Sequence, residues 1–472
     1  MTGHVSGDVH ELTAAELSAA FAGRSLSPRE VAAALLARIE RLDGAINAFC
    51  LLDPEETLQQ AAESEARWTA GAQLSPLDGV PVAVKDILLN RGWPTLRGSR
   101  TVDPSGPWGV DAPAVARLSD AGAVLVGKTT TPEFGWKGVT DSPLTGITRN
   151  PWNPETTPGG SSGGSAAALA ARFAPLALGT DGGGSIRIPA HFTGTFGLKP
   201  SFGRVPAYPL SLFGTLAHVG PMARTVRDAA QLLDVISRPD DRDWFASLYT
   251  ATDYVAELDR PVRDKRIAFS PRLGWVERVD PEVAALVSAA AKRFADLGAH
   301  VEEVDPPMGD PTGTFRTLWW GGARAVTAHL SPEQRGLLDP GLRAMADEAA
   351  DITLEEYQAA TLARADYGSR MRQFMAGYDF LLTPSVAVPA FEAGGISPFA
   401  DDGNAWLGWT PFSYPFNLTQ QPAASVNCGF TAAGLPVGLQ IVGRMFDDAG
   451  VLAAAHAYER SELFYRTIPP GF

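Results

Sequence analysis

Cysteine is almost missing from this chain. Two in 472 residues, Cys50 and Cys428, are too few for a disulfide framework or a cysteine-based zinc centre, and they read as buried thiols in a reducing compartment. Basic runs are missing too: 39 lysines and arginines against 53 acidic residues leave a formal net charge of −14, which argues against nucleic-acid or anionic-membrane partners. No apolar run reaches the ~18 residues of a membrane span, and residues 1–11 are polar without an export-signal core, so a cytoplasmic protein is expected. Histidine is scarce, and no His, Asp or Glu cluster has ligand spacing, so neither metal nor cofactor is expected. With 45% hydrophobic and 19% charged residues, the remainder is globular material with enough apolar side chains for a large core.

Glycine and serine are concentrated instead. Thr-Pro-Gly-Gly-Ser-Ser-Gly-Gly-Ser-Ala-Ala-Ala fills 157–168, and Gly-Thr-Asp-Gly-Gly-Gly-Ser-Ile-Arg-Ile-Pro fills 179–189. No ordinary helix or strand selects that density, because glycine gives up backbone order and packs no side chain. A flexible linker would continue in Gly and Ser, whereas these runs are anchored by the alanines of 166–171 and the apolar 175–178, so they read as a site.

Around them, helical and strand patterns alternate. Helices are expected over 13–24, 27–42 and 54–70. In the second, Ser27, Pro28 and Glu30 form a capping box, and Val31, Leu35, Ile39 and Leu42 form an apolar stripe. Residues 77–89 read as a turn and a buried strand carrying Lys85, a charge at a strand end that either snorkels to water, pairs with Asp86 or is placed for chemistry. A helix over 112–121 precedes Gly-Ala-Val-Leu-Val-Gly-Lys-Thr at 122–129, which spells a P-loop. Its context contradicts a nucleotide site, because a helix comes before it and the intervening residues are strand-like. Further helices are expected over 225–237, 281–297, most of 314–376 and 447–464, and strands over 266–270, 300–304, 378–384, 422–428 and 436–442. Of the adjacent Trp319 and Trp320, one is expected to point inward and the other outward. The polar segment 239–263 precedes a new strand, and the loop 388–409 has the composition of a lid. The alternation implies an α/β fold with a large sheet covered on both faces. It is expected as one domain over 1–472, with an inserted or helical lobe at roughly 239–376.

The chemistry starts from a serine without a histidine. Only His191 lies near the glycine runs in sequence, and Arg187 two residues beyond Ser185 excludes the Gly-x-Ser-x-Gly elbow. A lysine whose pKa is lowered by burial is an alternative base, and Lys85 sits in Val-Ala-Val-Lys-Asp-Ile-Leu at 82–88. These residues carry a resemblance. Val-Ala-Val-Lys-Asp at 82–86, Gly-Gly-Ser-Ser-Gly-Gly-Ser at 159–165 and the 179–189 run together resemble the amidase signature family. The likeness continues in Gly-Lys-Thr at 127–129, Pro-Glu at 132–133, Phe-Gly-Leu-Lys-Pro at 196–200, Pro-Phe-Asn-Leu at 415–418 and Gly-Arg at 443–444.

The resemblance implies a mixed, mostly parallel twisted sheet with a signature region at 77–206. It implies Ser185 as nucleophile, Ser161 as bridging serine in a cis peptide, and Lys85 as base, with the 24-residue separation of the serines matching the family's spacing. The amides of Gly182, Gly183, Gly184 and Ser185 would hold the oxyanion, and Ser162, Asp181 and Arg187 would brace the site, with Ser162 and Ser165 as caps and loop hydrogen-bonders. At Gly182 the chain departs from relatives that often carry a bulkier residue, which would loosen the loop or widen the acyl site. Phe134, Trp136, Phe213, Trp319 and Trp409, together with Trp406 and Phe412, are candidate pocket walls, although aromatics in such loops are individually more often packing. The implied activity is hydrolysis of small aryl or alkyl amides, extending to carbamates (a urethanase) and esters, by a monomer or homodimer. The alternative is an amidotransferase A-type subunit with partner proteins. Such subunits tend to carry an acidic residue five before the proline of Pro-x-Asn-Leu, where this chain has Thr410.

Overall fold

The computed structural model describes residues 8–246, 251–400 and 405–472. The expectations for 1–7, for 247–250 within the polar segment and for 401–404 within the loop lie outside the described residues.

Thirteen strands are present among the described residues. They are β1 (Phe49–Leu52), β2 (Pro81–Lys85), β3 (Val124–Thr129), β4 (Asp141–Ser142), β5 (Gly146–Ile147), β6 (Leu176–Asp181) and β7 (Phe196–Lys199). The others are β8 (His218–Ala223), β9 (Arg266–Phe269), β10 (His300–Glu303), β11 (Phe380–Pro384), β12 (Ala423–Phe430) and β13 (Pro436–Gly443). Apart from the β4–β5 ribbon they build one eleven-stranded sheet in the order β1-β3-β2-β6-β8-β7-β12-β13-β11-β9-β10. The sheet is mixed, as expected, but not mostly parallel. Six of its ten strand pairs are antiparallel, because β7–β8 and β12–β13 are returns through the middle of the sheet.

Both faces are covered, and period-two alternation shows how. Val82 and Val84 of β2 pack in a core with Leu35, Val115 and Leu232, while Ala83 packs in another with Ala166, Ala167 and Leu169 of the helix Gly163–Ala170. Lys85 shares the Ala83 face by the same parity. Strand β2 runs parallel to β6, with Val84 beside Leu178, so the carboxyl ends of both strands open on one rim. In an open α/β sheet that rim is where ligands bind. Strands β9 and β10, from the 239–376 segment, extend the same sheet.

Many boundaries follow their local signals. The helix Pro28–Leu42 begins with the Ser27–Glu30 capping box, and the helix Pro54–Ala70 stops at Gly71 in left-handed conformation. Two further expectations fail. Trp319 and Trp320 of the helix Thr312–Thr327 are both buried, because this helix is packed on two sides. Trp319 stacks on Phe213 on one side, and Trp320 on the other donates from Nε1 to Glu348 at 2.9 Å beneath Arg316. Cys428 is a buried thiol as expected, but Cys50 is exposed, because β1 is a sheet edge.

Candidate active site

Lys85, the last residue of β2, ends in a ring of hydroxyls. Its Nζ lies 2.7 Å from Ser161 Oγ, 2.9 Å from Ser162 Oγ and 2.9 Å from Thr180 Oγ1. Its side chain is fully enclosed. Burial drives its pKa well below the ordinary lysine value, and the charge of Asp181 opposes that shift without cancelling it. Asp86, the partner considered from sequence, faces Lys128 Nζ at 3.7 Å instead.

The hydrogen inventory separates the two serines. Ser162 Oγ donates its single hydrogen to the Thr180 carbonyl at 3.1 Å and accepts from the Thr180 amide at 3.2 Å. Ser162 can therefore only accept from Lys85. Although it precedes the helix Gly163–Ala170, its side chain makes no cap bond, so its work is to hold the lysine against β6. Ser165 is the loop hydrogen-bonder expected, donating to the Leu178 carbonyl at 3.0 Å. Ser161 follows a cis Gly160–Ser161 peptide and lines a cavity of about 290 Å³ together with Thr180, Gly182 and Ser185.

Ser185 is carried on a tightly braced loop. Asp181 accepts from Gly184 N at 2.8 Å and Ile186 N at 3.2 Å, and pairs with Arg187 through Nε and Nη2 at 2.9 Å each. Arg187 reaches on to the Ser413 carbonyl, Gln440 and Asn417, so every part of this buried ion pair is satisfied. Burial alone pushes the Asp181 carboxyl up, but the Arg187 charge and hydrogen bonds, with Lys199 and Asn417, outweigh it and hold the pKa well below the usual carboxylate range. Bracing by Ser162, Asp181 and Arg187 accords with this geometry.

The amides differ from expectation at one position. Those of Gly182, Gly183 and Ser185 meet no acceptor among the described residues, whereas Gly184 N is committed to Asp181. Gly184 instead supplies the turn: its φ is +127°, and a Cβ there would stand 2.4 Å from Ser413 Oγ. Gly182 gives room to an aromatic, since a Cβ would meet the Trp319 ring at 2.9 Å. The space left by the missing side chain is therefore filled from the helix Thr312–Thr327 rather than left open.

Phe134, Phe213 and Trp319 line the cavity. Trp136 and Trp409 do not. Trp409 stacks on Phe192 with centroids 5.7 Å apart, and Trp136 lies against Gly341 while its carbonyl accepts from Trp319 Nε1 at 3.1 Å. Both are buried packing, as are Trp406 and Phe412. Thr180 was not signalled by sequence: it looks like any strand threonine until the β2–β6 register places it beside Lys85. The P-loop spelling dissolves, since Lys128 lies within β3 and donates to the Leu88 carbonyl and Thr95. Thr410 is buried and donates to the Trp406 carbonyl at 3.0 Å.

This arrangement of a buried lysine, two serines and glycine amides defines a class. The chain belongs to the amidase signature family of carbon–nitrogen hydrolases: the sequence model described as Amidase matches residues 30–452. Among individual relatives, an acylamidase of Rhodococcus erythropolis is 39% identical over 459 residues, covering 96% of both chains. The A-type subunit of the Myxococcus xanthus (strain DK1622) glutamyl-tRNA(Gln) amidotransferase is 39% identical over 491 residues, covering 98% of this chain and 99% of that one. Among solved structures, a bacterial aryl acylamidase of the amidase signature family superposes with TM-score 0.92 at 35% identity, over 98% of this chain and 99% of that one. The corresponding amidotransferase chain of Thermotoga maritima superposes with TM-score 0.82 at 29% identity, over 99% of each chain.

Proposed function

We propose that the protein hydrolyses small aryl or alkyl amides through an acyl-enzyme on Ser185. The observation that carries this is the 2.7 Å contact of the buried Lys85 Nζ with Ser161 at a cavity that Ser185 also lines. A neutral amine has two hydrogens and one lone pair; Ser162 can only accept, so one hydrogen goes to it, a second suits Thr180, and the lone pair is left for the Ser161 hydroxyl. Ser161 passes its proton to Lys85 while taking the proton of Ser185, whose oxygen attacks the carbonyl. The amides of Gly182, Gly183 and Ser185 receive the developing oxyanion, each worth roughly 3–4 kcal/mol in comparable sites. On collapse, the C–N bond breaks, Ser161 protonates the leaving amine, and water then releases the acid. Carbamates and aryl esters pass through the same acyl chemistry.

Likeness to the aryl acylamidase and the acylamidase supports this assignment, and Thr410, buried and engaged with the Trp406 carbonyl, offers no charge to a free amino acid. An anilide, a primary amide, an aryl carbamate and glutamine, assayed side by side, test it. Turnover of the anilide by the chain alone is expected. Glutamine turnover only in the presence of partner proteins would instead establish a role within an amidotransferase complex.

A further inference from the structure

The cavity holds a cation that the mechanism does not use. Arg97 is partly buried and lines the cavity, yet its guanidinium makes no hydrogen bond or ion pair among the described residues. Its nearest counter-charge is already spent. Asp86 takes the Gly98 amide at 3.4 Å and faces Lys128 at 3.7 Å. No other group of the lining offers a positive charge: Asp243 accepts the Ala207 amide at 2.8 Å, Tyr208 lies beneath the Arg242 guanidinium, and burial lowers the pKa of His218, whose Nδ1 meets the Leu216 carbonyl at 2.9 Å while its Nε2 has no partner among the described residues.

The chain bends sharply to put the arginine there. Arg97 adopts φ +57° and Phe134, which donates its amide to the Arg97 carbonyl at 2.8 Å, adopts φ +52°. Non-glycine residues in this region cost about 1–3 kcal/mol each and cluster at ligand sites. Here the two are bonded to each other, and both line the cavity.

Position relative to the serines says which half of a substrate meets this wall. A Cβ on Gly135, next to Phe134, would stand 3.1 Å from Ser161 Oγ and 3.9 Å from Ile87, so the Arg97–Phe134 wall adjoins the serine that protonates the leaving nitrogen. The Phe213–Trp319 stack, centroids 3.8 Å apart, lies against Gly182 on the oxyanion side. The amine half of an amide must therefore face Arg97, and the acyl half the aromatic stack.

Resting on the amidase reading above, we propose that Arg97 recognises an anionic group on the leaving amine, so that the favoured substrates are N-acyl derivatives of aminobenzoates or amino acids. Their hydrolysis consumes one water, breaks the C–N bond and releases a carboxylic acid with an amino-carboxylate. Arginine suits a planar carboxylate because its fork of donors matches both oxygens.

The test compares an acylanilide with the corresponding 3- and 4-(acylamino)benzoates. In the wild-type enzyme, kcat/KM is expected to favour one benzoate over the anilide. In Arg97→Met that benzoate-to-anilide ratio should fall about 10- to 100-fold, the range for a hydrogen bond to a charged group, and Arg97→Lys should restore part of it. Product inhibition of the wild-type enzyme gives an independent readout: the aminobenzoate should inhibit at lower concentration than aniline. An unchanged ratio in Arg97→Met, or equal inhibition by the two amines, would overturn the assignment of Arg97. Absence of turnover with both benzoates and anilide would overturn the amidase reading itself.

Discussion

Replacing Ser162 by alanine separates a positioning serine from a relay serine. The Ser162 hydroxyl makes three bonds, with Lys85 Nζ at 2.9 Å, the Thr180 carbonyl at 3.1 Å and the Thr180 amide at 3.2 Å. At roughly 1 kcal/mol net for each, Ser162→Ala should destabilise the fold by about 3 kcal/mol. Its catalytic cost should be smaller, because Lys85 keeps Ser161 and Thr180; losing one orienting bond of about 1.4 kcal/mol lowers kcat/KM roughly tenfold. In the proposed mechanism Ser161→Ala removes the proton relay and should cost on the order of 10²–10⁴-fold. The pH profile adds a sign. A hydrogen bond accepted from Nζ favours the charged ammonium more than the neutral amine, so its loss lowers the Lys85 pKa further and moves the acid limb of kcat/KM to lower pH. Steady-state rates on an anilide from pH 5 to 10, with urea unfolding of each variant, read all three quantities. The hydrogen inventory is wrong if Ser162→Ala loses as much activity as Ser161→Ala while its acid limb stays in place.

Because the proposed mechanism needs Lys85 as a neutral base, kcat/KM of the wild-type enzyme should rise with pH through the folded Lys85 pKa and then level off. Burial places that pKa well below the ordinary lysine value, so activity should persist where an exposed lysine is fully charged; an acid limb near pH 10.5, the unperturbed lysine value, would contradict this. Arg187→Met leaves Asp181 buried without its ion partner and should destabilise the protein by about 3–5 kcal/mol, seen as a shortened half-life on heating; an unchanged half-life would show that the clasp does not hold the loop. The Asp181 contribution also has a pH sign. Its folded pKa lies below the unfolded value of about 3.9, so the stabilisation is present above that pH and is lost as pH falls toward the folded value, which acid unfolding of the wild-type enzyme should report.

Sequence and structure agree on which residues lie together where the signal is local. Lys85, Ser161 and Ser185 stand out because a lysine among valines and serines among glycines contradict what core strands and linkers contain, and the structure gathers Lys85 and Ser161 directly, with Ser185 on the same cavity. What the sequence hides is relational. Thr180 joins Lys85 only through the β2–β6 pairing, and the antiparallel majority of the sheet depends on which strands return beside one another. An aromatic in a glycine-rich loop reads the same whether it walls a cavity, as Phe134 does, or packs inside, as Trp136 and Trp409 do. Arg97 belongs to no motif. Its interest comes from a guanidinium without a partner among the described residues, which only the folded chain reveals.

The nucleophile can be tested most directly by trapping the covalent intermediate. An aryl ester mixed with the enzyme, quenched within milliseconds and digested, should add the mass of the acyl group less one hydrogen to the peptide containing Ser185, with no increment in Ser185→Ala. An acyl group found on another residue, or turnover retained by Ser185→Ala, would contradict the proposed chemistry.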